Sequence, residues 1–259
     1  MKLVYLLPFS YFLNTRLREG SVAFHLGFEW LAAMLLVVVV GTPAPLQALA
    51  MAGLSYLAFI SVYEIGYLVN DLFAAQREVG GRKRGPTDAT LGWGLAWTGS
   101  RLMVFALITA WLDFQTLPAW WSFYLALCLT FALHNVLQDS ELKSATFLWL
   151  AWLRFMAPVM FVVQDDQRLG IGLAAAVSYV AFRLLGYLDS KGLLRMPGRQ
   201  RASFRLFYFL MPLIGLLALW PYAGAEGFMV LTGYFAAVAV AGTLARPALA
   251  RVSHSWTGR

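Results

Sequence analysis

Charge is scarce in this chain. Only 13% of its 259 residues are Asp, Glu, Lys or Arg, whereas 60% are hydrophobic, and the mean hydropathy is +0.67. A water-soluble chain of this length needs a charged surface and polar loops. Neither appears between Ser21 and Ala245, which excludes soluble enzyme folds and indicates a polytopic membrane protein. Cysteine is nearly absent. Cys128 stands alone in the apolar run Trp120 to Leu133, so a disulfide framework within the chain, a cysteine zinc site and thiol redox chemistry all drop out. The first twenty residues hold a short apolar run after Lys2 but no small-residue cleavage site before the next charges. They are expected to form an interfacial segment leading into the first span, not a removable signal peptide. No internal repeat, low-complexity tract or flexible linker divides the sequence, and the Pro/Gly stretches Gly41 to Pro45, Gly80 to Pro86 and Met196 to Gly198 fall between apolar runs. A single transmembrane domain over residues 1–259 is expected.

About 20 apolar residues cross a bilayer as a helix. Eight runs qualify, at 21–41, 46–69, 91–112, 117–135, 145–163, 170–188, 206–222 and 227–245, of which the seventh is the shortest. The fold class expected is therefore all-α, a polytopic transmembrane bundle of about eight spans. The basic residues fall unevenly: three in residues 1–20, four at Arg77, Arg82, Lys83 and Arg84, then Lys143, five in 189–205 and three after Ala245. The alternate loops carry Asp113, Asp165, Asp166 and Glu226, with Arg168 as their only cation. By the positive-inside rule both termini and the three basic loops are expected in the cytoplasm, in an integral, multi-pass membrane protein. The net charge of +7 then has a topological origin. Membrane headgroups are its expected partner, and nucleic acid is not required.

Ionisable groups inside apolar runs are costly, which singles out His25, Glu29, Glu64, Arg101, Arg154 and Arg183. His25 and Glu29, one helical turn apart, are spaced to pair with each other or with an arginine inside the bundle, and equally to serve a site. Glu64 lies seven residues before Asp71 on the same helix face, placed either to support chemistry there or to neutralise an arginine from a neighbouring helix. Arg101, about two turns into the third span, is expected to snorkel to the interface. Arg154 lies too deep for that and needs an anion, a protein carboxylate or a substrate phosphate. Arg183 sits nearer the cytoplasmic end of the sixth span.

The second span runs into Asn70-Asp71-Leu72-Phe73-Ala74-Ala75-Gln76-Arg77-Glu78 and then Arg82-Lys83-Arg84-Gly85-Pro86. A helix continued past Val69 places Asn70, Asp71, Ala74 and Glu78 on one face. Two carboxylates and an amide there suit Mg²⁺, which keeps several waters and bridges to phosphates, and the cations beyond suit a diphosphate leaving group. A plainer reading also stands: a polybasic juxtamembrane segment whose acids balance its charge.

This order, Asn-Asp followed by an acid seven residues after the Asp and then a basic Arg-x-Pro stretch, resembles the first aspartate-rich motif, NDxxDxxxD, of the UbiA superfamily of intramembrane prenyltransferases. Asn70, Asp71 and Glu78 match its first, second and last positions, and Ala74 replaces the middle aspartate. Lys143-Ser-Ala-Thr-Phe-Leu-Trp-Leu-Ala-Trp-Leu-Arg154 resembles the pattern opening the fifth span in part of that family, including its polyprenyl-phosphate phosphoribosyltransferase branch. Asp189, after the sixth span, falls where the second acidic motif is expected, with Leu193 in place of its partner acid. The resemblance covers spans two to six in order and spacing.

It implies a UbiA-like bundle holding a polyprenyl chain between helices, with a diphosphate under two acidic loops that face the cytoplasm. Asp71, Glu78 and Asp189 would be the catalytic carboxylates, and with Asn70 would hold Mg²⁺. Arg82, Lys83, Arg84, Lys143, Arg154, Arg183 and Lys191, with Asn70, would bind the diphosphate. The first reaction implied is prenyl transfer from an isoprenyl diphosphate to a small acceptor, the aromatic residues Phe24, Phe28, Trp93, Trp97, Trp149, Trp152 and Phe155 being candidates to line the tail. The alternative within the family is phosphoribosyl transfer to polyprenyl phosphate. Outside enzymology, Ala74 and Leu193 fit a non-catalytic relative that binds an isoprenoid lipid or scaffolds a partner. A transporter is a weaker alternative, for want of repeated halves.

Overall fold

A computed structural model of the chain describes residues 3–17, 22–42, 44–74 and 90–256. Every named element among them is helical, and the only β-pairing is an isolated bridge between Gly41 and Val163. Seven helices are long and apolar enough to cross a bilayer: α1 (Val22–Val40), α2 (Pro45–Phe73), α3 (Leu91–Trp111), α4 (Pro118–Val136), α6 (Asp165–Ser190), α7 (Ala202–Leu219) and, within α8 (Ala225–Trp256), the stretch Ala225–Ala245. That set is compatible with an integral multi-pass membrane protein.

The eighth run, expected over 145–163, is where sequence and structure differ. It forms α5 (Ser140–Met156), 17 residues long, or about 25 Å at 1.5 Å per residue against about 30 Å of hydrocarbon. The helix starts early because Asp139 caps it, its carboxylate accepting the Glu141 and Leu142 N–H groups at 2.7 and 2.9 Å. It stops early because Pro158 has no N–H to continue the ladder. Residues 157–163 fold into tight turns, and the Val162 carbonyl accepts the Thr42 N–H at 2.8 Å.

Local chemistry sets the other ends. Proline opens α2 and α4, where its missing N–H costs nothing. The Thr90 hydroxyl accepts the Trp93 N–H at 3.2 Å to start α3. After α6 the chain turns on Gly192 at φ 72, and the Leu193 N–H returns to the Leu188 carbonyl at 2.9 Å.

The helices cluster into two compact units, Met1–Val163 and Gln164–Arg259. In the first, α2 packs against α1, α3 and α4, and α4 against α5. Aromatic pairs run through this core, Phe59 on Tyr63 at 4.8 Å and Tyr63 on Phe131 at 4.6 Å. In the second, α8 packs against α6 and α7, with the rings of Phe182, Phe209 and Phe235 in tilted contact in series. The close approach there is Gly170 to Gly224, where a Cβ on Gly170 would lie 1.9 Å from the Gly224 carbonyl oxygen.

Residues 3–17 do not lie along the interface as expected. They fold back into the first unit, where Tyr11 and Phe12 are completely buried. Four wide, π-type turns occur among the described residues, at Leu13–Leu17, His25–Trp30, Asn70–Ala74 and Ala176–Val180. The first three carry Arg16, the His25/Glu29 pair and the Asn70/Asp71 pair. An inserted residue rotates side chains off the regular helical register, and such turns recur at functional sites.

Candidate functional site

At the end of α2, Asp71 is buried and both of its carboxylate oxygens are engaged. Oδ2 accepts the Tyr11 hydroxyl at 2.8 Å, and Oδ1 accepts Arg16 Nη2 at 2.7 Å and Asn70 Nδ2 at 3.2 Å. The Arg16 guanidinium lies over the Tyr67 ring, 4.4 Å from its centroid. Burial, reinforced by the Asp71 charge and the hydrogen bond to it, pushes the Tyr11 phenol well above its ordinary value, so the hydroxyl remains the donor. Burial opposes the charge on Arg16, but Tyr67 and Asp71 outweigh it and raise its pKa.

Tyr11 also packs with Leu68, Trp93 and Trp97 in one cluster, bordered by Tyr67 and Leu72. Three N–H donors of this corner are buried and meet no acceptor among the described residues: Arg16 Nη1 and the indole nitrogens of Trp93 and Trp97. Buried donors are normally paired. Three unpaired ones beside a carboxylate–arginine pair are suited to a ligand rich in acceptor oxygens.

Two more ion pairs sit at membrane depth in this unit. Glu64 and Arg101 have fully buried side chains, joined at 2.7 Å, so Arg101 does not snorkel. Glu64 Oε1 accepts the Phe12 N–H at 2.8 Å. Arg101 spends its other donors on the Tyr5, Leu6 and Leu7 carbonyls at 2.7, 2.5 and 2.8 Å, and its guanidinium covers the Trp97 ring at 4.3 Å. The α2–α3 ion pair thus holds the N-terminal segment inside the bundle. In the second pair, Arg154 finds its anion in Glu29 at 3.0 Å, and Glu29 also meets His25 Nδ1 at 2.9 Å. The ring of Phe12 lies 4.6 Å from the Arg154 guanidinium.

Near these pairs an apolar cavity of about 320 Å³ is bounded by Phe9, Leu26, Trp30, Met34, Tyr56 and Pro158. Phe9 occupies the left-handed region at φ 73, a conformation a bulky residue holds only when its surroundings enforce it.

Of the other sequence-derived candidates in this unit, Lys143 is buried in α5. In the second unit, Asp189 ends α6 and pairs with Arg199 at 3.0 Å. Arg183 donates to the Tyr179 hydroxyl at 2.7 Å, and Lys191 lies 5.9 Å from the Tyr187 ring centroid. Glu78, Arg82, Lys83 and Arg84 lie outside the described residues. Sequence reasoning missed Tyr11, Arg16 and Tyr67. Asn14, Thr15 and Arg16 form a polar run just after Tyr11 within the apolar N-terminus, which was the available signal.

The described residues do not fit a Mg²⁺ site: both oxygens of Asp71 are taken, Asp189 is paired with an arginine, and no group of three His, Cys, Asp or Glu side chains is assembled among them. No family model matches the chain, and no characterised protein or solved structure does either.

Proposed function

We propose that this chain is a UbiA-like integral membrane transferase that accepts an isoprenoid diphosphate and passes its prenyl group to a small acceptor. The observation that carries the reading is the corner around Asp71, where Arg16 Nη1 and the Trp93 and Trp97 indoles offer three buried N–H groups with no partner among the described residues. Phosphate oxygens accept such donors, and Arg16 adds the matching charge. The apolar cavity in the same unit suits part of the chain, and exclusion of water there protects a carbocation-like centre. The motif resemblance implies Mg²⁺ at Asp71, Glu78 and Asp189, but Asp71 and Asp189 are already engaged by arginines, so the reading rests on the N–H donors and Arg16 and not on the metal. The proposed orientation has both termini cytoplasmic, with α5 and residues 157–163 completing an eighth crossing. Phosphoribosyl transfer to polyprenyl phosphate is the alternative donor chemistry.

A specific observation favours a second reading, a non-catalytic isoprenoid-lipid binder. Both described acids of the motif positions are occupied by arginines, Asp71 by Arg16 and Asp189 by Arg199.

Thermal stabilisation of the purified protein by isoprenyl diphosphates, phosphoribosyl diphosphate and polyprenyl phosphate, each with Mg²⁺ and with chelator, separates these readings. The transferase requires stabilisation by one diphosphate and its turnover, with Asp71→Asn abolishing turnover. A hydrogen bond to a charged group is worth about 1.5–3 kcal/mol, so Arg16→Gln or Trp93→Phe weakens diphosphate binding about tenfold or more. Stabilisation by polyprenyl phosphate alone, indifferent to metal and without turnover, selects the lipid binder. No response to any of these ligands refutes both.

A further inference from the structure

The second unit carries a groove that the proposed chemistry does not use. It has a volume of about 760 Å³ and runs along one side of α7, where Val177, Phe204, Phe207 and Met211 form its walls and Arg201 and Ser203 its polar end. Phe207 is 64% exposed and Met211 52%. Both lie on a helix apolar enough to cross the bilayer, where exposed apolar side chains are suited to hydrocarbon.

The charge at its polar end is one-sided. Between Asp189 and Glu226 the sequence has five cations, Lys191, Arg195, Arg199, Arg201 and Arg205, and no acid. Asp189 is already taken by Arg199, and Arg205 donates to the Gln200 side chain at 2.5 Å. Arg201 is exposed at the first residue before α7, and no carboxylate among the described residues pairs with it. An apolar furrow in the hydrocarbon ending on an uncommitted guanidinium presents two chemistries to one ligand.

We propose that this groove binds an anionic phospholipid, its phosphate on Arg201 and Ser203 and an acyl chain along Val177, Phe204, Phe207 and Met211. Basic pockets at the polar ends of membrane helices recognise acidic headgroups in this way, and a guanidinium grips a phosphate by two parallel N–H donors. A soluble phosphate has no use for the apolar wall, and a zwitterionic lipid brings no net charge for Arg201. The site lies wholly in the second unit and is independent of the Asp71 corner.

The test is binding of phosphatidylglycerol to the full detergent-purified chain, read by thermal shift and by native mass spectrometry, against phosphatidylcholine of the same acyl chains and against inorganic phosphate. Phosphatidylglycerol is expected to stabilise the protein and to remain bound where phosphatidylcholine is lost, with no response to millimolar phosphate. Arg201→Gln is expected to lower the phosphatidylglycerol affinity at least tenfold, and Phe207→Ala to lower it for both lipids. Arg195→Gln, which removes the same charge outside the groove, should leave it within twofold. Equal binding of the two lipids, an Arg195→Gln loss matching that of Arg201→Gln, or a full response to inorganic phosphate overturns the proposal. All three positions are surface residues, so a folding failure is not the expected outcome, and the wild-type lipid comparison stands without any variant.

Discussion

Glu64→Gln is the sharpest probe of how the first unit is held together. The substitution keeps size and shape but removes the charge facing Arg101, leaving a fully buried guanidinium 2.7 Å from a neutral amide. Glutamine also has one acceptor oxygen where glutamate uses two, one for Arg101 Nε and one for the Phe12 N–H. Removing one partner of a buried ion pair costs about 3–5 kcal/mol. The amide oxygen retains one of the two hydrogen bonds, so the lower end of about 3 kcal/mol applies, a fall in Tm of about 6–12 °C for a domain of this size. Differential scanning fluorimetry of the purified protein reads that shift. Limited trypsin digestion reads its location, because release of residues 3–17 exposes the bond after Arg16 while the rest of the bundle persists. The double variant Glu64→Leu/Arg101→Leu carries no stranded charge, and its loss should be smaller than the sum of the two single losses. A shift below about 2 °C for Glu64→Gln, or a double variant whose loss equals that sum, would refute the argument that this pair secures the segment.

Two further outcomes are expected. Tyr11 has its folded pKa raised above the ordinary 10.0 by burial and by Asp71, so its contribution to stability is complete below about pH 10 and is lost as pH rises through the folded value; stability from pH 9 to 11 should fall less steeply in Tyr11→Phe than in the parent, and equal slopes would contradict the assignment. Gly170→Ala sets a methyl group against the Gly224 backbone, itself held at φ 91, and should cost about 1–3 kcal/mol as an overpacked contact, seen as a lowered Tm that Gly233→Ala, with open space at its Cβ, does not reproduce.

The sequence carried the membrane character and seven of the eight spans, because a long apolar run has few alternatives to a membrane helix. Over 145–163 the helix bounds were not legible, because hydropathy does not register that Asp139 starts a helix early and Pro158 ends it. The cost of charge at membrane depth singled out His25, Glu29, Glu64, Arg101, Arg154 and Arg183, of which the first five are buried and Arg183 is half-buried. The His25–Glu29 contact was legible from its one-turn spacing, but the arginine partners were not, since Glu64 and Arg101 are 37 residues apart and Glu29 and Arg154 are 125 apart. The N-terminal segment was least legible of all. Its fastening to Arg101 is through backbone carbonyls, which every sequence has, and its link to Asp71 runs through Tyr11 and Arg16, whose tie to a residue 55 or more positions away leaves no local pattern.

The fastening of Tyr5, Leu6 and Leu7 to Arg101 also orders events at the ribosome. These residues are synthesised before the guanidinium that satisfies their carbonyls, which emerges 94 to 96 residues later. At about 5–20 residues per second, the segment waits on the order of ten seconds with no place to settle. Arg101 in turn enters the bilayer against a penalty that Glu64, already delivered by α2, relieves. The segment therefore reaches its final position only after a helix made well behind it, and the third helix is the step that releases it to do so.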